Sequence, residues 1–587
     1  MDLCLDGKNY LRLSAEICVL LIDNMRNKEL ADMFNAIGDA LEFKGENPFK
    51  IIAYRKAARV LSDMTEDIES IHQQGKLREI PGIGEGIAKK IDEYLRTGKM
   101  KKYEEAKRDI PEGLLELLSI QSVGPKTLAL AHKNLGVKNL SDFKKVASDG
   151  SLAKLPGMGN KKVENILKGM ERFEVSKERI SLGDAIPLVQ SIVEKLKELK
   201  CVKDVSPAGS LRRFKETVGD IDILVTGTEG SKIIDYFTKL PGVGQILAKG
   251  ETKGSVVMHT GQQVDVRVLS EDSYGAALQY FTGSKAHNIK LRHMARERGL
   301  KISEYGVFKG SKKIAGRIEE EVYRTLNLPW IPAELREDRG EIETAIDGKL
   351  PQLVEYEEIK GDLHVHSKYS DGSATIEELA IEAKRLGYEY IAICDHSKSV
   401  KYAGGLSEDR LLEEIEEIDR INAKLKGITV LKGTEVDILQ NGKLDYLDSL
   451  LSKLDIVVAA IHTSFKKDCN KRMMSAMENP YVKVIAHPTG RLISSREGYV
   501  IDINEVIGYA AKTDTALEIN AYYDRLDLND VNSRKAKDLG VKLSIGTDAH
   551  HKYQLWMMKL GVGVARRGWL EKKDLLNTLS VTKLRNL

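Results

Sequence analysis

The stretch Gly361–Gly372, GDLHVHSKYSDG, places His364, His366 and Asp371 within eight residues. It reads either as a histidine-rich surface turn or as the first third of a metal site, and the chain around it decides. Seven of the twelve histidines lie between 364 and 551. Seven apolar runs follow one another there: IKGDLHVHS, YEYIAICDHS, ITVLKGTEVDIL, LDIVVAAIHTSF, YVKVIAHPTG, TALEINAYY and VKLSIGTDAHH. Six of the seven end in a potential metal ligand: His364 with His366, His396, Glu435, His462, His487, and Asp548 with His550. Asp371 completes the set from the loop after the first run. Strands alternating with helical stretches predict βα units and a largely parallel sheet. HxH on a strand points both imidazoles to one face, and the C-terminal ends of barrel strands converge on one mouth. A single such histidine is usually a satisfied core residue, but nine residues in phase with seven strands are not. Six imidazoles and three carboxylates are too many for one ion and suit two or three Mn²⁺, Zn²⁺ or Fe²⁺ ions. Closely spaced ions acidify a bridging water and polarise a phosphoryl oxygen, which points to phosphoester hydrolysis. Asn520, at the end of the sixth run, is expected to orient substrate or ligands. Cys394 reads as a small buried strand residue, and His551 is expected to point away.

The 587 residues suggest about four domains. A net charge of +3 is too small to argue for nucleic acid by itself, so any electrostatic footprint is local. Five dispersed cysteines (Cys4, Cys18, Cys201, Cys394, Cys469) form no CxxC pair, which fits a reducing cytosol. No apolar run approaches the ~20 residues of a membrane span. ICVLLI at 17–22 is short for a signal segment. The expected location is cytoplasmic, with no membrane partner. Residues 1–24 carry little pattern and read either as a genuine extension or as sequence ahead of a translation start at Met25, the favoured reading.

Upstream, three stretches share one grammar: IPGIGEGIAKKI at 80–91, IQSVGPKTLALAH at 120–132 and LPGMGNKKVENIL at 155–167. Each has an apolar residue, a glycine turn and an apolar-periodic helix. The glycines Gly82, Gly84, Gly124, Gly157 and Gly159 permit positive φ and let backbone N–H groups approach a phosphate. From Lys76 to Arg108 there are ten Lys/Arg against six Asp/Glu. Such contacts hold a nucleic-acid backbone without reading sequence. The look-alike LPGVGQILAKG at 240–250 runs into a strand and reads as a structural turn.

AGSLRRFKETVGDIDILVT, at 208–226, brings Asp220 and Asp222 together on an apolar strand, where alternation aims both to one face. Asp265, in QVDVRVL, sits on another strand. Three converging carboxylates can hold two Mg²⁺ (or Mn²⁺) ions for an in-line phosphoryl displacement. Gly209 and Ser210 offer a tight turn and a hydroxyl for phosphate, and Arg213 a charged fork.

These residues resemble the family X DNA polymerases of the polymerase beta type over 25–330. The resemblance rests on NPFKIIAYRKAA, IPGIGEGIAKKIDEYL, GSLRRFKETVGDID, VDVR and YFTGSKAHNIKLR. It implies Asp220, Asp222 and Asp265 as catalytic metal ligands. Ser210, Arg213 and Gly219, helped by Arg179, would hold the incoming triphosphate. Tyr280, Phe281 and Gly283 would line the sugar pocket, with Asn288 and Arg292 at the minor-groove edge of the nascent pair. Lys50 and Tyr54 match a 5′-phosphate pocket, and Lys90 a Schiff-base lysine for removing 5′-deoxyribose phosphate. A lysine the family often has is replaced by Gly86, which leaves open whether Lys90 is catalytic or a solvated helix lysine.

Residues 358–570 resemble a PHP (polymerase and histidinol phosphatase) domain, through DLHVHSKYSDG, CDHS, GTEVDI, AAIHTS, IAHPTG and GTDAHH. That likeness implies a distorted (β/α)7 barrel with a trinuclear site. Fused in this order, the halves are similar to the bacterial and archaeal PolX family. Its barrel is associated with Mn²⁺-dependent 3′→5′ exonuclease activity and sometimes with cleavage at abasic sites. The expected fold is therefore multidomain. Helical helix-hairpin-helix domains cover 25–105 and 106–178, and an α+β nucleotidyltransferase palm covers 179–270. A nucleotide-selecting thumb covers 271–330, a polar linker 331–357 and the barrel 358–587. The expected partners are gapped or primer-template DNA and deoxynucleoside triphosphates, and the expected state is a monomer. The expected function is short-gap filling in DNA repair with 3′ trimming. The alternatives are a barrel acting on small phosphoesters, as histidinol phosphatases do, and a non-catalytic DNA-binding scaffold with structural metals.

Overall fold

The computed structural model describes residues 24–587 except 64–67, 81, 109, 112–113, 115–116, 118–122, 124, 160–162, 165, 168–169, 171–178, 260 and 494–497. The extension at 1–23 and Gly124 lie outside the described residues. One compact unit ends at residue 178 and a second runs from Arg179 to Leu587.

The first unit is helical. Helices α1 (Asn24–Phe43) and α2 (Pro48–Asp63) pack through Leu30, Phe34 and Ile37 against Tyr54, Ala57 and Leu61. Helix α3 (Glu85–Thr97) buries Ile87, Ala88, Ile91 and Tyr94, a 3.6-period stripe, and ends at Gly98 in the left-handed region. Helices α4 (Pro125–Leu135) and α5 (Leu140–Ser148) share a second core that includes Leu128, Phe143 and Ile166.

The second unit begins with α6 (Leu182–Lys197), capped by Ser181, whose hydroxyl accepts from Asp184 N. A five-stranded sheet follows, made of β1 (Val202–Pro207), β2 (Ile221–Gly227), β3 (Val243–Lys249), β4 (Lys253–Met258) and β5 (Gln263–Leu269). Its order is β1-β2-β5-β4-β3, with only β2 and β5 parallel. Of the stretch 240–250 expected to be a turn, only 240–242 turns: Val243–Lys249 is strand β3 itself, and the strand expected after it is β4. Helices α7 (Tyr274–Thr282) and α8 (Lys285–Glu297) lead to a small antiparallel sheet of β6 (Leu300–Ser303), β7 (Gly306–Lys309) and β8 (Lys312–Ala315).

The polar linker expected over 331–357 is instead a packed part of the second unit. Arg336 and Glu341 are fully buried. Arg336 donates to Glu319 and to the carbonyl of Ile331, and Glu341 pairs with His287 at 2.7 Å. Glu319 compensates the Arg336 charge, and Glu341 is hydrogen-bonded by His287 and by the backbone N–H groups of Asp338 and Arg339, so polarity there does not mean exposure.

Seven parallel strands form the C-terminal sheet: β9 (Gly361–Val365), β10 (Tyr390–Ile393), β11 (Thr429–Asp437), β12 (Ile456–Ala460), β13 (Val482–Ile485), β14 (Ala516–Asn520) and β15 (Leu543–Gly546). They pair in sequence order. The first and last strand ends are stitched as well: Asp548 N donates to the His364 carbonyl and His366 N to that of Ala549. The result is a nearly closed barrel whose strands are buried almost throughout. Helices such as α9 (Ile376–Arg385), α10 (Glu408–Lys424), α11 (Asp530–Asp538) and α12 (Met558–Arg567) supply the apolar covering. Among the described residues no helix is long and apolar enough to cross a membrane.

Candidate active sites

In the five-stranded sheet, Asp222 and Asp265 are register partners on the parallel strands β2 and β5. Asp220 is exposed and lies one residue before β2 begins. Burial raises the Asp222 carboxyl to about 7, with Asp265 and then Asp220 pushing the same way. Arg267 and Lys253 offset only part of this, and the remaining negative charge is of the kind divalent cations relieve. Asp265 is steadied by the Ser255 hydroxyl and by Gln263 Nε2 at 3.0 Å, with Lys253 Nζ at 3.6 Å. Gly209 has φ +63°, and a Cβ there would lie 2.8 Å from Asp222 Oδ2, so the turn before Ser210 demands glycine.

The other expected nucleotide residues gather around this turn. Arg179 donates to the Thr217 hydroxyl and carbonyl, and its guanidinium lies over Gly219, where a Cβ would meet Nη1 at 3.1 Å. Arg213 is buried and donates to Glu337 and to the Thr282 carbonyl. Tyr280 and Phe281 meet edge to face at 5.2 Å, ahead of Gly283 at φ +70°. The Asn288 amide is engaged at both ends, by Gln279 and by the Tyr280 carbonyl, and Arg292 donates to the Asn288 carbonyl.

In the helical unit, Lys90 donates to the Gly86 carbonyl and lies 5.6 Å from the centre of the buried Tyr54 ring. Burial lowers its pKa, and Lys102 adds to the shift. A Cβ on Gly86 would meet nothing within 4 Å, so packing does not require the glycine. Lys50 pairs with Glu46 on the surface. Gly82 and Gly157 have positive φ, and Gly84, Gly157 and Gly159 face open space.

The barrel gathers all nine of its expected ligands at one end. Three groups have ligand atoms within 4.8 Å of one another: His366, Asp371, His396 and His550; His364, His366 and Asp548; and His396, Glu435 and His462. Shared His366 and shared His396 link them. His487 joins through Nε2, 3.0 Å from Glu435 Oε1. Among the described residues the aspartates of the five-stranded sheet form no such group.

His366 Nδ1, His396 Nδ1, His487 Nδ1 and Glu435 Oε2 are buried without a hydrogen-bond partner. His396 Nδ1 sits 2.8 Å from Glu435 Oε2 without the alignment of a hydrogen bond. Buried donors and acceptors without partners, among ligand-type side chains this close together, fit a metal cluster. Burial disfavours the charged imidazoles, yet the carboxylates outweigh it and raise His364, His396, His462 and His550. His366 goes the other way, to about 4, through burial and its neighbours His396 and His550.

Several supporting residues went unanticipated. Glu518 accepts from His364 Nδ1 at 2.7 Å and from the backbone N of His487 at 2.8 Å. Asp437 lies 3.3 Å from His462 Nδ1. Such contacts fix tautomer and ring orientation. Asn520 donates to both Glu518 and Asp548, so it orients a ligand as expected. Cys394 is buried and His551 exposed, both as expected.

The fold and sites thus define a nucleotidyltransferase of the polymerase beta class joined to a PHP phosphoesterase barrel. Matching families are a helix-hairpin-helix domain at 25–100, a SAM-like helix-hairpin-helix tandem at 114–172, the DNA polymerase beta thumb at 277–337 and the PHP domain at 362–521. The chain is 41% identical over 567 residues to DNA polymerase/3′-5′ exonuclease PolX of Bacillus subtilis, covering 95% of this chain and 98% of that one. It belongs to the PolX family. A probable phosphatase of Thermoanaerobacter sp. is 32% identical over 232 residues, 37% of this chain and 89% of that one. Rat DNA polymerase lambda is 26% identical over 344 residues, 52% of this chain and 56% of that one.

Proposed function

We propose that this chain is a DNA-directed DNA polymerase that fills short gaps and a metal-dependent 3′→5′ exonuclease, with the two activities in separate sites. The observation that carries the reading is the pairing, in one chain, of the Asp222–Asp265 strand pair behind the Gly209 turn with a nine-ligand barrel cluster. Asp220, Asp222 and Asp265 fit Mg²⁺ or Mn²⁺, which would neutralise charge developing on the phosphoryl oxygens. Ser210, Gly219, Arg179 and Arg213 receive the triphosphate. Tyr280, Phe281, Gly283, Asn288 and Arg292 shape the space for sugar and base. The barrel's His364, His366, Asp371, His396, Glu435, His462, His487, Asp548 and His550 fit two or three Mn²⁺, Zn²⁺ or Fe²⁺ ions, which would supply an acidified water at neutral pH. Glu518, Asp437 and Asn520 hold those ligands in place.

Gapped or primer-template DNA is the substrate, bound along its backbone by the hairpins around Gly82, Gly84, Gly124, Gly157 and Gly159. The lowered pKa of Lys90 beside Tyr54 supports a Schiff-base role, with Lys50 at the 5′-phosphate. Trapping a borohydride-reduced adduct that Lys90→Ala lacks tests it. The protein acts as a cytoplasmic monomer.

Primer extension should vanish in Asp222→Ala while Mn²⁺-dependent 3′ digestion survives, and His364→Ala should do the reverse. Loss of both activities in either variant sinks the two-site reading. The likeness to a probable phosphatase favours one rival, a barrel acting on small phosphoesters. Histidinol phosphate turnover comparable to DNA digestion would support that rival.

A further inference from the structure

The turn read as the triphosphate site is fastened to the barrel by a buried cluster of charges. Arg213 Nε donates to Glu337 Oε1 at 2.9 Å. The same oxygen accepts from Arg567 Nη1, also at 2.9 Å. Arg567, at the end of barrel helix α12, donates to the Arg213 carbonyl at 2.7 Å and to Asp530 Oδ2 on α11 at 2.7 Å. Arg339 donates to that Asp530 oxygen at 2.8 Å. The next residue, Phe214, has φ +52° and packs over Gly563, where a Cβ would lie 2.1 Å from its ring. On the far side of the turn, Arg491 of the barrel donates to Glu216 at 2.6 Å.

Arg213, Arg339 and Arg567 face Glu337 and Asp530, and Lys215 also acts on Glu337, so cations outnumber anions there. Burial pushes the Glu337 carboxyl up, but Arg567, Arg213 and Lys215 outweigh it and hold it at about 2, so it stays ionised. Glu337 is therefore a largely buried anion shared between a barrel arginine and the arginine assigned to the triphosphate.

We propose that Arg567 of the barrel is a positioning residue for the polymerase site, which shares Glu337 so that Arg213 can turn to the incoming triphosphate. The proposal rests on the reading of Arg213 as a triphosphate ligand. Without Arg567, Glu337 is left to pair with Arg213, and the cluster loses one positive charge. A triphosphate would then have to break that pair, and breaking a buried pair is costly. None of these Arg567 contacts reaches a barrel metal ligand, so the effect belongs to the polymerase site.

The test is gap filling by the full chain, with KM for the nucleotide and kcat measured separately. Arg567→Met should raise KM about tenfold, the scale of one charged hydrogen bond, with kcat within about twofold. Arg567→Lys should recover part of the loss, since it keeps the charge but not the fork to Glu337 and Asp530. Glu337→Gln in the Arg567→Met background should bring KM back, a rescue that a general packing defect would not give. Glu337→Gln alone, with Arg567 intact, should lower KM. Digestion of 3′ ends should be unchanged throughout. If Arg213→Ala leaves KM unchanged, both the reading of Arg213 and the proposal fall. If Arg213→Ala raises KM but Glu337→Gln neither lowers it alone nor rescues Arg567→Met, the reading stands and the proposal is overturned.

Discussion

The aspartates of the five-stranded sheet and the ligands of the barrel are both metal-type sites within residues 179–587, yet they differ in completeness. Asp220 is exposed, and Asp222 and Asp265 are only partly buried. On the proposed reading, three carboxylates would not fill the shells of two divalent ions, and substrate phosphates and water would supply the remaining oxygens. In the barrel, nine side chains converge, most of them buried, and four of their polar atoms have no partner. On that reading the first site would receive its ions with the nucleotide, and the second would hold them without substrate.

The sharpest way to break that contrast is to remove one carboxylate from each. Asp222→Ala should cost extension at least about a thousandfold, since positioning and charge neutralisation carry nearly all of phosphoryl transfer. Asp548→Ala should cost 3′ digestion at least about a hundredfold and leave extension intact. Metal analysis after extensive desalting then separates retention from turnover. The wild type and Asp222→Ala should keep two or three equivalents of transition metal, and Asp548→Ala should lose most of them. Equal metal loss in both aspartate variants would erase the distinction.

Glu518→Gln sharpens the same comparison on a smaller scale. It removes the charged acceptor at His364 Nδ1 but touches no expected ion directly. Metal affinity measured by competition with a chelator should fall about 10–100-fold. An unchanged affinity would mean that barrel closure alone orients His364.

The expected barrel ligands other than Asp371 were legible because they fall at the ends of successive apolar runs, and core packing alone does not place a ligand-type residue at one strand end after another. Glu518 was as legible in principle. It lies two residues before Asn520 in ALEIN, so alternation aims both to one face, and a carboxylate inside a buried strand needs a partner. Asp437 stands in the same relation to Glu435. The segment 331–357 was misread as a linker because composition does not reveal pairing: Arg336 meets Glu319, and Glu341 meets His287. The Arg567 contact with Arg213 spans 354 positions, beyond any periodicity. Strand ends report on local geometry, whereas buried ion pairs report on which segments the fold brings together.

The smallest expected effect concerns Ser255, the register partner of Asp265 on β4. Its hydroxyl donates to Asp265 Oδ1, which also accepts from Gln263. Ser255→Ala removes one of two donors and leaves the strand pairing intact, so Asp265 gains rotational freedom without leaving the site. One neutral-to-charged hydrogen bond bounds the loss at about tenfold in extension. Because Gln263 remains, a fall of about threefold is expected, with 3′ digestion unaffected. In the barrel, a comparable deletion at Asn520, which donates to Asp548 Oδ2, should change metal retention rather than rate alone. Should Ser255→Ala also release metal from the desalted protein, the aspartate site holds its ions as the barrel does, and the contrast between a site that borrows its cations and one that keeps them no longer stands.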